Sequence, residues 1–126
     1  MKNIEENNKL IAEFMGAKFR IFPPTEHYIG ETILENRDEM PSIYNSCRVE
    51  SFKHHTSWDW LMPVVEKMEN SSAKITIGRM FCEIEYKDLF DKDKQFEIKI
   101  VSGVKINAVN GAVVEFIKWY NENKND

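Results

Sequence analysis

The sequence predicts an α+β fold of two layers, in which an antiparallel sheet with a three-stranded meander is packed on one face by about three helices. Three observations predict it. Apolar residues recur at helical spacing over residues 57–69 and again over 104–123, and between them the period changes to two. In that middle stretch Ile75, Ile77, Cys82, Ile84, Tyr86, Phe96, Ile98 and Ile100 alternate with Lys74, Thr76, Glu83, Glu85, Glu97 and Lys99. Helices on both sides of a sheet would require apolar residues at both sets of positions. The charged alternate positions therefore place the helices on one face.

Taken in order, residues 4–15 read as a first helix with Leu10, Ile11 and Phe14 as its stripe and Gly16 as its stop. Residues 18–22, K-F-R-I-F, alternate like a short strand that Pro23-Pro24 closes. Residues 25–46 read as an irregular excursion, with Tyr28, Ile29, Ile33 and Leu34 scattered among turn residues and one strand near 27–33. Residues 48–52 read as a further short strand. In the helix at 57–69, Ser57 is the expected N-cap and Asp59 suits the positive helix end. Trp58, Leu61, Met62, Val64, Val65 and Met68 form its apolar arc, opposite Asp59, Pro63, Glu66 and Lys67, and Pro63 is expected to bend the helix or delay its start. Trp60 falls at the border of the arc, where a neighbouring loop covers it or its ring serves as a stacking platform. Residues 78–80 and 88–94 join the meander strands. The last helix buries Val109, Val113, Phe116, Ile117 and Tyr120 with Trp119 at its flank, takes Ser102 as its cap, and uses Gly111 for close approach of another backbone. The polar tail, residues 121–126, is expected to fray.

A chain of 126 residues with 42% hydrophobic and 30% charged residues fits one soluble globular domain. No apolar run is long enough to span a bilayer. The opening M-K-N-I-E-E-N-N-K lacks the basic-then-apolar pattern of a signal peptide, so a cytoplasmic location is expected, with Cys47 and Cys82 reduced. A net charge of −4 argues against general binding to a nucleic-acid backbone. It leaves room for a local basic pocket built from Arg20, Arg48, Lys53 and Arg79.

Chemical motifs are sparse. His54 and His55, with Asp59 and Glu66 downstream, are metal-capable residue types, yet adjacent residues of an extended segment point to opposite faces and do not share an ion easily. Asp88, Asp91 and Asp93 have a loosely calcium-like spacing without the bend glycine or the closing glutamate. No serine stands in a nucleophile elbow, no glycines cradle a phosphate, and Glu83 and Glu85 are accounted for by cross-strand charge pairing. The expectation is a non-catalytic protein with no metal and no cofactor.

Three blocks, N-K-L-I-A-E-F-M-G at residues 8–16, S-W-D-W-L-M-P-V-V-E-K at 57–67 and A-V-V-E-F-I-K-W-Y-N at 112–121, resemble a group of small proteins of bacteriophages, prophages and Bacteroidetes. What the resemblance implies is a setting, a small accessory protein acting in a host cytoplasm, and it carries no site residues. With that setting, one expectation is capture of a small anionic, nucleotide-like ligand such as a host immune signal, through Trp60, His54, His55, Arg48, Arg20, Arg79 and Trp119. A second is a protein–protein interaction module or homo-oligomer that binds a host protein with the same tryptophans as anchors. A third, a small hydrolase using His54 or His55 with Asp59 or Glu66, has the least motif support.

Overall fold

The computed structural model describes residues 2–88 and 93–123. The protein is α+β, with three helices, a two-stranded antiparallel sheet and a three-stranded antiparallel meander. The order is α1 (Lys2–Phe14), β1 (Phe19–Phe22), β2 (Glu31–Leu34), α2 (Trp58–Asn70), β3 (Ala73–Ile77), β4 (Phe81–Lys87), β5 (Gln95–Val101) and α3 (Lys105–Asn123), with 3-10 turns at Arg37–Glu39 and Val49–Ser51. The chain divides into two compact units, Met1–Lys53 and His54–Asp126. Asp91, the centre of the calcium-like spacing, and the last three residues of the polar tail lie outside the described residues.

In His54–Asp126 the alternating sequence produces the meander β3-β4-β5. Its register sets Ile75 opposite Ile84 and Ile84 opposite Ile98, with Ile77, Cys82 and Ile100 in one neighbouring row and Ala73, Tyr86 and Phe96 in the other. The three apolar sets thus form one face, and α2 packs on β3 while α3 packs along β4 and β5. Gly111 of α3 lies against Ile100, where an added Cβ would be 3.5 Å from a methyl group. The opposite face carries Lys74, Thr76, Glu83, Glu85, Glu97 and Lys99, as the alternation predicts. Val104 N–H donates to the Ser102 hydroxyl at the entry to α3. Tyr120, expected in the buried stripe, is only half-buried, and Val114 is buried instead.

Helix α2 differs from its helical-wheel reading in rotation. Its buried residues are Trp60, Leu61, Val64, Val65 and Met68, whereas Trp58 and Met62 are partly exposed. The arc has turned toward Trp60 because the His54 ring closes over that side, edge-on, with centroids 5.0 Å apart. Ser57 is the N-cap residue, but its hydroxyl makes no capping bond; its carbonyl accepts from Trp60 and Leu61 N–H. Pro63 sits inside a helix that runs unbroken from Trp58 to Asn70.

In Met1–Lys53 the helix α1 ends as its glycine predicts: Gly16 has φ +107, Gly16 N–H donates to Glu13 and Ala17 N–H to Ala12. Ile11 and Ala12 of α1 are buried, as are Leu34, Met40, Tyr44, Val49 and Phe52, and α1 packs on the 3-10 turn at Val49–Ser51. The Phe52 ring meets Tyr44 edge-on at 5.2 Å and Phe19 at 6.2 Å, and its carbonyl accepts from Asn8 Nδ2. Residues 48–52 are a 3-10 turn, not the expected strand, and only Arg48 makes a β-bridge, to Ile33. The reason is spacing: Val49 and Phe52 are buried three residues apart, which a 3-10 turn aligns and a strand would set on opposite faces.

Candidate functional site

The β1–β2 hairpin carries the most exposed apolar surface of Met1–Lys53. Strand β1 pairs with β2 through Phe19–Leu34, Arg20–Ile33, Ile21–Thr32 and Phe22–Glu31. Beyond the ladder Pro23-Pro24 stiffens the chain, and a tight turn is closed by Thr25 N–H to Tyr28 O at 2.7 Å. Gly30 returns the chain at φ +82, where a Cβ would lie 2.8 Å from the Phe22 carbonyl oxygen and 2.9 Å from the Pro24 nitrogen. Only glycine fits that approach. The result is a rigid display of Ile21 (64% exposed), Phe22 (38%), Tyr28 (40%) and Ile29 (95%).

These side chains line a groove of about 570 Å³ together with Glu5, Glu31, Arg48 and Glu50. Glu31 is its polar centre. Its carboxylate accepts from Arg48 Nη1 at 2.6 Å, and Glu50 lies 4.0 Å from the same nitrogen. The Tyr28 phenol is raised above its ordinary value, first by partial burial and then by the hydrogen bond and charge of Glu31. Three carboxylates against one guanidinium make the groove acidic, with apolar walls.

The seven residues expected to hold an anionic ligand are placed as follows. Arg20 and Arg48 lie in one cross-strand row on either side of Ile33. Each is engaged by a carboxylate, Arg20 Nε by Glu35 at 3.0 Å and Arg48 by Glu31. Arg79 is exposed in the turn between β3 and β4. Trp60, only 9% exposed, is core, whereas a stacking platform requires an open ring face. His54 is fully buried against it, and burial, followed by the charge of His55, lowers its pKa to about 3. Its carbonyl accepts from Asn110 Nδ2. The neighbouring His55 is half-buried. Trp119 belongs to an aromatic cluster with Tyr86, Phe96 and Phe116 at centroid distances of 5.3 to 6.2 Å. It lines a cleft of about 110 Å³ with Asp88 and Lys94. Within Met1–Lys53 only Arg48 of the seven lines the hairpin groove, and within His54–Asp126 only Trp119 of the seven lines the cleft at Asp88 and Lys94.

Sequence reasoning missed Ile21, Phe22, Tyr28, Ile29 and Glu31. The signal was present as an apolar pair on each side of a Pro-Pro turn, but alternation in a four-residue strand does not reveal which face is covered. Both cysteines are free; burial pushes the Cys82 thiol up to about 11, so it stays protonated. Among the described residues no group of three or more His, Cys, Asp or Glu side chains could hold a metal ion, and no helix is long and apolar enough to cross a membrane. Comparison of the chain with protein families, curated proteins and solved structures gives no match.

Proposed function

We propose that this chain is a non-catalytic binding protein that docks a partner protein on its β1–β2 hairpin. The observation that carries this reading is the concentration of Ile21, Phe22, Tyr28 and Ile29 on one stiffened hairpin above an acidic groove. Exposed apolar groups gathered at one place mark interaction surfaces, and a preformed loop loses little freedom on binding. The complementary partner is a segment with apolar anchors for the walls and a basic side chain for Glu5, Glu31 and Glu50. In the phage-like setting that the sequence resemblance implies, that partner is a host protein.

Capture of a small nucleotide-like anion is the competing reading, and what favours it is Arg48 beside Phe22 and Tyr28 in the groove. Against it, a phosphate would have to displace Glu31 from Arg48 and face two further carboxylates. Two measurements separate the readings. Affinity capture from host lysate should retain a protein with the wild-type chain and lose it with Ile29→Asp, a change at a fully solvated position that leaves the melting temperature within about 2 °C, because such surface changes shift stability by under about 0.5 kcal/mol. Retention of the same protein by both chains would sink the hairpin proposal. A thermal-shift panel of cyclic nucleotides and ADP-ribose-type molecules should leave the melting temperature unchanged; a shift that Arg48→Ala abolishes would move the function to anion capture.

A further inference from the structure

We infer that two copies of this chain associate through β5, edge to edge and antiparallel, joining their meanders into one six-stranded sheet. Strand β5 pairs with β4 on one side, and among the described residues no strand pairs with its other side. At the two ends of the ladder Ser102 N–H donates to Met80 and Asp88 N–H to Lys94. The alternation of an antiparallel ladder then turns the backbone N–H and C=O groups of Glu97, Lys99 and Val101 away from β4. Those groups form a template for another strand.

The side chains identify which strand fits. Within the chain Glu97 stands directly opposite Glu85, a like-charge pair on the solvated face, and Lys99 stands opposite Glu83. Like charges placed opposite one another destabilise a sheet. Glu97 therefore has no opposite charge directly facing it on β4, and β5 itself can supply one across the edge. In a two-fold antiparallel pairing centred on Ile98, Glu97 meets the partner's Lys99 and Lys99 meets the partner's Glu97. Both are outward-facing positions, so the backbone bonds and the ion pairs agree on the same register. Sliding the strands by one pair in either direction sets Glu97 against the partner's Glu97 or Lys99 against the partner's Lys99. A slide by a single residue would swap the faces of the sheet.

Two further observations agree. Val101, on the solvated face opposite Phe81, is 69% exposed at the end of a strand whose other solvated-face residues are polar, and the pairing covers its free side with the second copy's β5. The opposite edge, β3, has no such self-match: centred on Ile75, its Lys74 would meet only the partner's Thr76. Lys99 Nζ now rests 4.8 Å from the Phe81 ring centroid. From there a flexible, solvated lysine swings to the edge by rotamer change alone.

The experiment is sedimentation equilibrium on the whole chain from about 1 to 200 µM, with Glu97→Lys, Lys99→Glu and the double exchange, each first shown to be folded by circular dichroism. Wild type should be dimeric at the upper concentrations. Each single variant should dissociate roughly tenfold more readily, because two symmetry-related attractions become repulsions. The double exchange should restore the dimer, and an equimolar mixture of the two single variants should form a heterodimer, since every edge charge then meets its opposite. A wild-type chain monomeric throughout, single variants that dimerise as wild type does, or a folded double exchange that fails to restore association would each overturn the inference. The hairpin proposal stands or falls separately, because Ile29→Asp lies on a different element.

Discussion

Among the described residues of His54–Asp126 every buried side chain except His54 belongs to a helix or strand and repeats with the period of that element, while in Met1–Lys53 Met40, Tyr44, Val49 and Phe52 reach the core from turns. His54–Asp126 is assembled from amphipathic faces, each of which buries several residues at once. Met1–Lys53 is assembled from single side chains that plug one centre, and its polar groups help: Asn36 Nδ2 donates to Gly16 O and Glu39 Oε1, while its Oδ1 accepts from Lys18 N–H. Periodic faces distribute stability over many contacts. A plug concentrates it.

The sharpest way to break this contrast is at Phe52. Its ring holds Phe19 and Tyr44 and its carbonyl holds Asn8, so Phe52→Ala should cost about 3–5 kcal/mol, the range for deleting a buried aromatic. Urea unfolding measures it, and amide exchange should quicken across Met1–Lys53. Phe116, the corresponding ring of the other unit, is stacked among Tyr86, Phe96, Trp119 and Tyr120. Those neighbours can close on the gap, so Phe116→Ala should fall toward the lower end of the same range. Equal losses would mean that the plug and the face are energetically alike.

Among the described residues of its unit His54 is the one buried side chain that no periodic element explains, and it makes a smaller, pH-dependent effect. An ordinary imidazole takes its proton near 6.5, and in the folded chain burial first and His55 second lower that to about 3. Between those values the unfolded chain binds a proton that the folded chain refuses. Stability is therefore complete above pH 6.5 and declines as the pH falls through the window, by up to about 1.4 kcal/mol per pH unit. His54→Phe keeps a ring edge against Trp60 and cannot take a proton. Its urea midpoint should stay level from pH 6.5 to 5, where the wild-type midpoint drops; parallel curves would show that another group carries the acid sensitivity.

The same contrast explains what could be read in advance. The meander with its apolar and charged faces, α3 and the glycine stop of α1 follow from period and local chemistry, so they were legible. For Trp60 the sequence left two readings, cover by a neighbouring loop or an open ring, and the first holds: the cover comes from His54 in the preceding turn, which a helical wheel does not contain. Residues 25–46 were opaque because their order rests on Gly30 approaching Phe22 and Pro24 and on Asn36 bridging residues 16 to 39, contacts with no periodic trace. The site suffered most. Whether the basic residues converge depends on tertiary placement that no sequence pattern carries; Arg20 and Arg48 are each claimed by a carboxylate, and the exposed hairpin side chains read as ordinary strand alternation.

The smallest expected effect lies at the junction of α2 and β3, where a regular element is interrupted. Ser72 adopts φ +81, a left-handed conformation in which a Cβ crowds the following carbonyl. The conformation is imposed by the way α2 ends: Ser71 N–H donates to Met68 O and Ser72 N–H to Glu69 O, so the chain must reverse within two residues to enter β3 at Ala73. Glycine adopts this geometry without the Cβ penalty, and Gly16 does the same work at the end of α1. Ser72→Gly should therefore raise stability by about 0.5–1 kcal/mol, the relief of a left-handed residue less the added freedom of glycine in the unfolded chain. The exposed Ser72 side chain forfeits no burial in the exchange. Chemical denaturation of the variant against wild type reads the sign directly, and a loss instead of a gain would show that the Ser72 side chain contributes more to this junction than the strain it causes.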